Sequence, residues 1–128
     1  FGDESKRRLL MDITHPRIKE AVRERIAEYR KENATVVVVE AALIVESGGL
    51  REFLDGLIVV TADEESQIGR LMKRSGLTRK EALARIDSQM PAGEKALHAD
   101  YLIDNSGTEE ETEAEVKKLW GEIIREER

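Results

Sequence analysis

The sequence predicts an α/β fold, a parallel sheet flanked by helices, on three observations. Two runs of branched aliphatic residues, Val36–Val39 and Leu57–Val60, show no alternation with polar residues, the pattern of strands buried on both faces. Three pairs with capping-box spacing, Thr61 with Glu64, Thr78 with Glu81 and Thr108 with Glu111, each open a helical stretch. Helices therefore separate the strands, and such connections give right-handed crossovers and a parallel sheet.

Taken in order, Asp3–Ile13 reads as a short helix with Leu9, Leu10 and Ile13 on one side. Thr14-His15-Pro16 then predicts a break, because proline suits the first position of a new helix. That helix runs over Pro16–Lys31, with Ile18, Val22, Ile26 and Tyr29 spaced for one apolar face. A first strand is expected over Ala34–Glu40. The segment Glu40–Glu46 and the following Ser47-Gly48-Gly49 read as a strand end, a helical turn and a loop. The second strand covers Leu57–Val60, followed by helices over 62–75 and 79–90. Tyr101–Ile103 forms a short third strand, ending in Asp104-Asn105-Ser106-Gly107. The last helix, 109–127, places Val116, Leu119, Trp120, Ile123 and Ile124 on one face.

Composition removes several function classes. The 128 residues contain 27 acidic and 21 basic side chains, for a net charge of −6, which argues against indiscriminate binding of nucleic acid. No apolar run is long enough to span a membrane, and no secretory leader is visible before the charged residues that follow Phe1. The absence of cysteine excludes disulfide scaffolds and cysteine zinc sites, and His15 and His98 are too far apart for a short metal motif. The expectation is a cytoplasmic protein, monomeric, with no metal ligands of its own.

The charge is unevenly distributed. Between Ser66 and Ile86 stand Arg70, Lys73, Arg74, Arg79, Lys80 and Arg85 against one acid, Glu81, a local balance of +5. Such a stretch can be a solvated helical hairpin. It can equally be an anion clamp: Arg70 and Arg74 are four apart on one helical face, and guanidinium groups match phosphate oxygens in bidentate fashion. From Ala99 onward the balance is −6, and Glu109-Glu110-Glu111 suits a helix start.

In open parallel sheets ligands bind beyond the carboxyl ends of the strands. Those ends here are Glu40, Thr61–Asp63 and Asp104–Gly107. Acids there can position a nucleophile, take a proton or hold Mg²⁺ through water, or simply cap helices. Asn105-Ser106-Gly107 can be a plain turn, since Asn and Gly tolerate left-handed backbone, or a loop around a flat base.

Five segments in one order are similar to the dephospho-coenzyme A kinase family: Ile13-Thr-His15-Pro16; Val39-Glu40-Ala-Ala-Leu-Ile-Val-Glu46-Ser-Gly48; Gln67-Ile-Gly-Arg70-Leu-Met-Lys-Arg74; Ala84-Arg85-Ile86-Asp-Ser-Gln89-Met90-Pro91; and Ala99-Asp100-Tyr-Leu-Ile103-Asp-Asn105-Ser-Gly107. The resemblance implies a P-loop kinase fold and transfer of the ATP γ-phosphoryl group to the 3′-hydroxyl of dephospho-CoA, with Mg²⁺ accompanying ATP. It further implies a helical lid within 62–98. In that lid Arg70 stabilises the transferring phosphoryl group, while Arg74 and Arg85 contact ATP. Asn105 and Gly107 look like the loop cupping adenine. His15, Glu40 and Leu43 look like parts of the acceptor side. Two of these residues have plain alternatives: His15 as a helix-entry residue beside Pro16, and Arg85 as an i,i+4 partner of Glu81.

The sequence departs from the family at two places. Glu40-Ala-Ala stands where many members have Asp-x-Pro, and the glycine-rich loop Gly-x-x-x-x-Gly-Lys-Ser/Thr is not among these residues. That loop would supply the backbone cradle, the lysine and most Mg²⁺ contacts. The 128 residues are thus expected to be the carboxy-terminal part of one kinase domain, unable to transfer phosphoryl groups alone. Two other functions fit the same residues. One is a non-catalytic nucleotide- or CoA-binding module, which would bind ATP without turnover. The other is a different nucleotide kinase, which would prefer nucleoside monophosphates as acceptors.

Overall fold

The computed structural model describes residues 3–42, 45 and 51–126. The chain divides into two compact units, Phe1–Leu54 and Asp55–Arg128.

The first unit is built on helix α1, Glu4–Lys31. Asp3 caps its start by accepting the Lys6 N–H at 3.0 Å. Its end is a Schellman turn: the Asn33 N–H donates to Arg30 O and the Ala34 N–H to Tyr29 O, with Asn33 left-handed at φ 61°. The expected break at Thr14–Pro16 does not occur, and Pro16 lies inside the helix. An interior proline removes one rung of the ladder, whereas a break would leave up to four N–H and four C=O groups needing new partners. Continuation costs less because the helical stretches on either side of Pro16 abut without a gap. After α1, a single 3₁₀ turn, Arg51–Phe53, packs on it. The Lys19 ammonium and Arg23 guanidinium lie 5.6 and 5.0 Å from the Phe53 ring centre, and Lys19 pairs with Glu52 at 2.5 Å.

The strand expected over Ala34–Glu40 is not formed. Val36, Val37 and Val39 are half-buried and Val38 is 73% exposed. Among the described residues, no strand pairs with this segment. A β-branched run expresses fitness for a pleated, half-buried surface rather than a backbone preference, and without a ladder it makes no strand. Leu43 lies outside the described residues.

The second unit contains the sheet. Strand β1, Ile58–Thr61, pairs in parallel with β2, Tyr101–Asp104, in the register Ile58↔Tyr101 to Thr61↔Asp104. Between them come α2, Glu64–Ser75, α3, Arg79–Asp87, and a short α4, Ala92–Ala96, which the sequence did not announce. The chain ends in α5, Glu109–Glu126. Helix α4 packs on β1 and α5 on β2. The cover is staggered: Val59 is buried while its register partner Leu102 is 57% exposed, and Ile103 is buried while Val60 is 56% exposed. Each strand thus has one protected side chain on a different face of the sheet.

Helices α2 and α3 pack as a hairpin, and Ile68 on α2 and Ala82 on α3 are its fully buried side chains. The connection turns at Gly76, left-handed with φ 64°, whose N–H donates to Met72 O. Thr78 starts α3 with the expected capping box, its hydroxyl accepting the Glu81 N–H while the Glu81 carboxylate accepts the Thr78 N–H.

Candidate active site

Parallel pairing brings the ends of β1 and β2 side by side, so the loops that leave them are neighbours. The Asn105 N–H donates to Thr61 O at 2.6 Å, extending the pairing one residue beyond the ladder. Two residues on, the Asp63 N–H donates to Ser106 Oγ at 2.9 Å. The Ser106 N–H in turn donates to Asp104 Oδ1 at 2.9 Å, an Asx turn that folds the loop back on its own strand. Glu115 on α5 accepts the Asp104 N–H at 2.9 Å.

Asp63 also caps α2. Its carboxylate accepts the Ser66 N–H at 2.8 Å and the Ser66 hydroxyl at 3.0 Å. The capping pair Thr61–Glu64 expected here is displaced by two residues, because Thr61 is still in the strand, where its hydroxyl faces Ile103 O at 3.5 Å. The N–H and then the hydroxyl of Ser66, with smaller help from Ser106 and Arg70, hold the Asp63 carboxyl below its ordinary value. The hydroxyl and N–H of Ser106 do the same for Asp104. Both groups are charged at neutral pH and already engaged by donors, which favours helix-cap and loop-anchor roles over metal binding. Among the described residues, no three His, Asp or Glu side chains gather to hold a metal ion.

Helix α2 leads from this anchor to the arginines. Arg70 and Arg74 are exposed on it, and neither forms a salt bridge with another side chain among the described residues. Arg79 differs: its guanidinium makes a bidentate pair with Glu65, at 2.7 and 3.1 Å, which raises the Arg79 pKa and lowers that of Glu65. Arg79 is thus committed within the protein. Arg85 stands on α3 one turn beyond Glu81 and helps keep that carboxylate ionised, after the larger effect of the Thr78 N–H and hydroxyl.

Asn105 is held at both ends, since its side-chain Oδ1 accepts from Thr112 Oγ1 at 2.8 Å. Neither Asn105 nor Gly107 is left-handed, so the conformational reason for those residue types does not apply. A Cβ at Gly107 would meet the Glu111 carboxylate, the movable end of an exposed side chain. His15 is half-buried in the middle of α1 and Glu40 is exposed beyond it, both in the unit Phe1–Leu54. The arginines, Asn105 and Gly107 all belong to Asp55–Arg128.

The sequence model of the dephospho-CoA kinase family matches residues 1–111. The chain belongs to the dephospho-CoA kinase family. It is 42% identical over 120 residues to the dephospho-CoA kinase of Geobacter sulfurreducens, covering 94% of this chain and 60% of that protein. The counterpart in Geobacter metallireducens is 44% identical over 124 residues, with 97% and 61% covered. Among solved structures, the fold is similar to a Thermus thermophilus protein, with a TM-score of 0.75 and 34% identity over 95% of this chain and 62% of that one. It is also similar to the dephospho-CoA kinase of Campylobacter jejuni, with a TM-score of 0.67 and 30% identity over all of this chain and 63% of that one. The chain therefore spans about three fifths of the length of these relatives. The α/β fold with a parallel sheet is that of the P-loop dephospho-CoA kinases.

Sequence reasoning marked Asp63 and Ser106 only as members of the strand ends, and missed Thr112 and Glu115, the other side chains that hold this kinase-family loop together. The cap at Asp63 was findable. Asp63 with Ser66 three residues on is an N-cap signal as good as the Thr61–Glu64 pair chosen instead. Thr112 and Glu115 reach Asn105 and Asp104 from α5, and Ser106 reaches Asp63 from the loop of the other strand, bonds that spacing along the chain does not reveal.

Proposed function

We propose that this chain forms the carboxy-terminal part of an enzyme that transfers the ATP γ-phosphoryl group to the 3′-hydroxyl of dephospho-CoA, giving coenzyme A. The observation that carries this reading is the junction of the base loop and the arginine helix. Asp63 and Ser106 join Asn105–Gly107 to the start of α2, on which Arg70 and Arg74 stand without a counter-ion within salt-bridge reach among the described residues. An adenine at the loop would leave its phosphates to meet the guanidinium groups.

In this reading Asn105 and Gly107 border the adenine, and Arg74 and Arg85 bind ATP phosphate oxygens. Arg70 faces the charge that spreads over the transferring phosphoryl group, where a preorganised cation does most of the catalytic work. The helices within 62–98 act as a lid, and His15, Glu40 and Leu43 serve the acceptor side. Mg²⁺ enters with ATP and is held by the phosphates and by groups outside the described residues. The glycine-rich phosphate loop belongs to a part of the kinase other than these 128 residues, which alone do not transfer phosphate.

The full-length protein tests this directly, with ATP and either dephospho-CoA or nucleoside monophosphates as acceptors. Product carrying a new 3′-phosphate on CoA is expected. Preference for monophosphates would favour another nucleotide kinase, and ATP binding without turnover would favour a non-catalytic module. Mg²⁺-dependent turnover by the 128 residues alone would refute the placement of the phosphate loop.

A further inference from the structure

Where β1 ends and α2 begins, three successive residues each have a partner. Thr61 O accepts the Asn105 N–H at 2.6 Å, Ala62 O accepts from Gln67 Nε2 at 2.7 Å, and the Asp63 N–H donates to Ser106 Oγ at 2.9 Å. The last two bonds belong to one peptide group, because the Ala62 carbonyl and the Asp63 N–H share a plane. In a trans peptide those groups point in opposite directions. The plane is thus gripped on one side by α2 and on the other by the loop that follows β2.

Each of these bonds has one possible direction. The Gln67 amino group and the Asp63 N–H only donate, and the Ala62 carbonyl only accepts. Gln67 must therefore present Nε2, since a turned amide would set two carbonyl oxygens face to face, and Ser106 Oγ must accept from Asp63. Ala62, Gln67 and Ser106 are half-buried. The peptide can turn only by changing ψ of Ala62 and φ of Asp63, and Asp63 is the cap of α2. Its orientation sets how the helix leaves the strand.

Arg70 and Arg74 follow Gln67 by three and seven residues, on the same side of α2. We propose that Gln67 is a positioning residue for Arg70: through the Ala62–Asp63 peptide it fixes the first turn of α2 against the end of β1 and the loop Asn105–Gly107. This rests on Arg70 stabilising the transferring phosphoryl group. Such stabilisation depends steeply on where the cation stands, so loosening the start of α2 is paid in kcat and not in acceptor binding.

The test uses the full-length protein with ATP and dephospho-CoA. It measures kcat, KM, Tm and exchange of the Asp63 amide hydrogen in wild type, Gln67→Met, Arg70→Ala and the double variant. Gln67→Met, an unbranched side chain of similar length without the amide, should lower kcat about fivefold, the worth of one hydrogen bond. It should leave KM for dephospho-CoA unchanged and speed exchange at Asp63. In Arg70→Ala protein the same substitution should lower kcat no further. Unchanged kcat, or unchanged exchange at Asp63, would overturn the proposal. Equal losses with and without Arg70 would overturn it too, leaving Gln67 a structural role only. If Arg70→Ala itself leaves kcat unaffected, the reading of Arg70 fails and the positioning role with it. Should Gln67→Met not fold, Ser106→Ala releases the other end of the same peptide and carries the same kcat comparison with Arg70→Ala.

Discussion

The backbone N–H of Asp63 and the hydroxyl of Ser106 meet at 2.9 Å, across the gap between the loops that leave β1 and β2. Asp63 is simultaneously the cap of α2, so a single residue joins the loop proposed for the base to the helix that carries Arg70 and Arg74. The placement of the arginines proposed to bind phosphate is thereby referred to the loop proposed for the base.

Arg70→Ala in the full-length kinase should lower kcat about a hundredfold, as removal of one preorganised electrostatic group commonly does. Steady-state kinetics with saturating ATP checks this. A change confined to KM for ATP would make Arg70 a ground-state binder instead.

The anchor at Asp63 should be sensitive to acid. Its carboxyl is held below the ordinary value of 3.8, chiefly by the N–H and hydroxyl of Ser66. The folded protein therefore releases this proton more readily than the unfolded chain. The resulting stabilisation is complete above pH 3.8 and is lost as the pH falls through the depressed value. Asp63→Asn should flatten the acid limb of a pH series of thermal melts; an unchanged limb would deny Asp63 this part in stability.

Tyr101 should show the opposite dependence. Its hydroxyl donates to the Glu126 carboxylate, and this bond, ahead of desolvation and the nearby negative charges, pushes its pKa from 10.0 up to about 12. The contribution is present below pH 10 and disappears as the pH rises through about 12. Ultraviolet titration of tyrosinate in Tyr29→Phe protein should find Tyr101 ionising late, and Glu126→Gln should move it down.

At Gly76, φ is 64° and a Cβ would meet nothing within 4 Å. Sterics with neighbours are thus absent and only the left-handed backbone opposes a side chain. Gly76→Ala should destabilise the protein by about 1 kcal/mol, and Gly76→Asn by less, since asparagine tolerates that conformation. Denaturant unfolding of the two variants would check the order.

What the sequence disclosed follows from how local each determinant is. The helices over 64–75, 79–87 and 109–126 were legible because caps such as Thr78 with Glu81 and Thr108 with Glu111 act within a single turn. Strands at Ile58 and Tyr101 were legible from short apolar runs. Val36–Val39 misled because a strand needs a partner as well as a composition. Pro16 misled for a related reason: whether a proline starts or interrupts a helix depends on what precedes it. Within the site, Arg70, Arg74 and Asn105 were visible as residue types in a recognisable order. The grip of Thr112 on Asn105 and the commitment of Arg79 to Glu65 required the fold, since both bonds join different elements.

Helical continuity through Pro16 has a mechanical consequence. At 1.5 Å per residue, the 28 residues of α1 span about 42 Å of contour. Pro16 cannot make its rung of the backbone ladder, and one turn further on Lys19 and Arg23 lie over the Phe53 ring, so the weakened turn of the helix stands beside the place where side chains brace it.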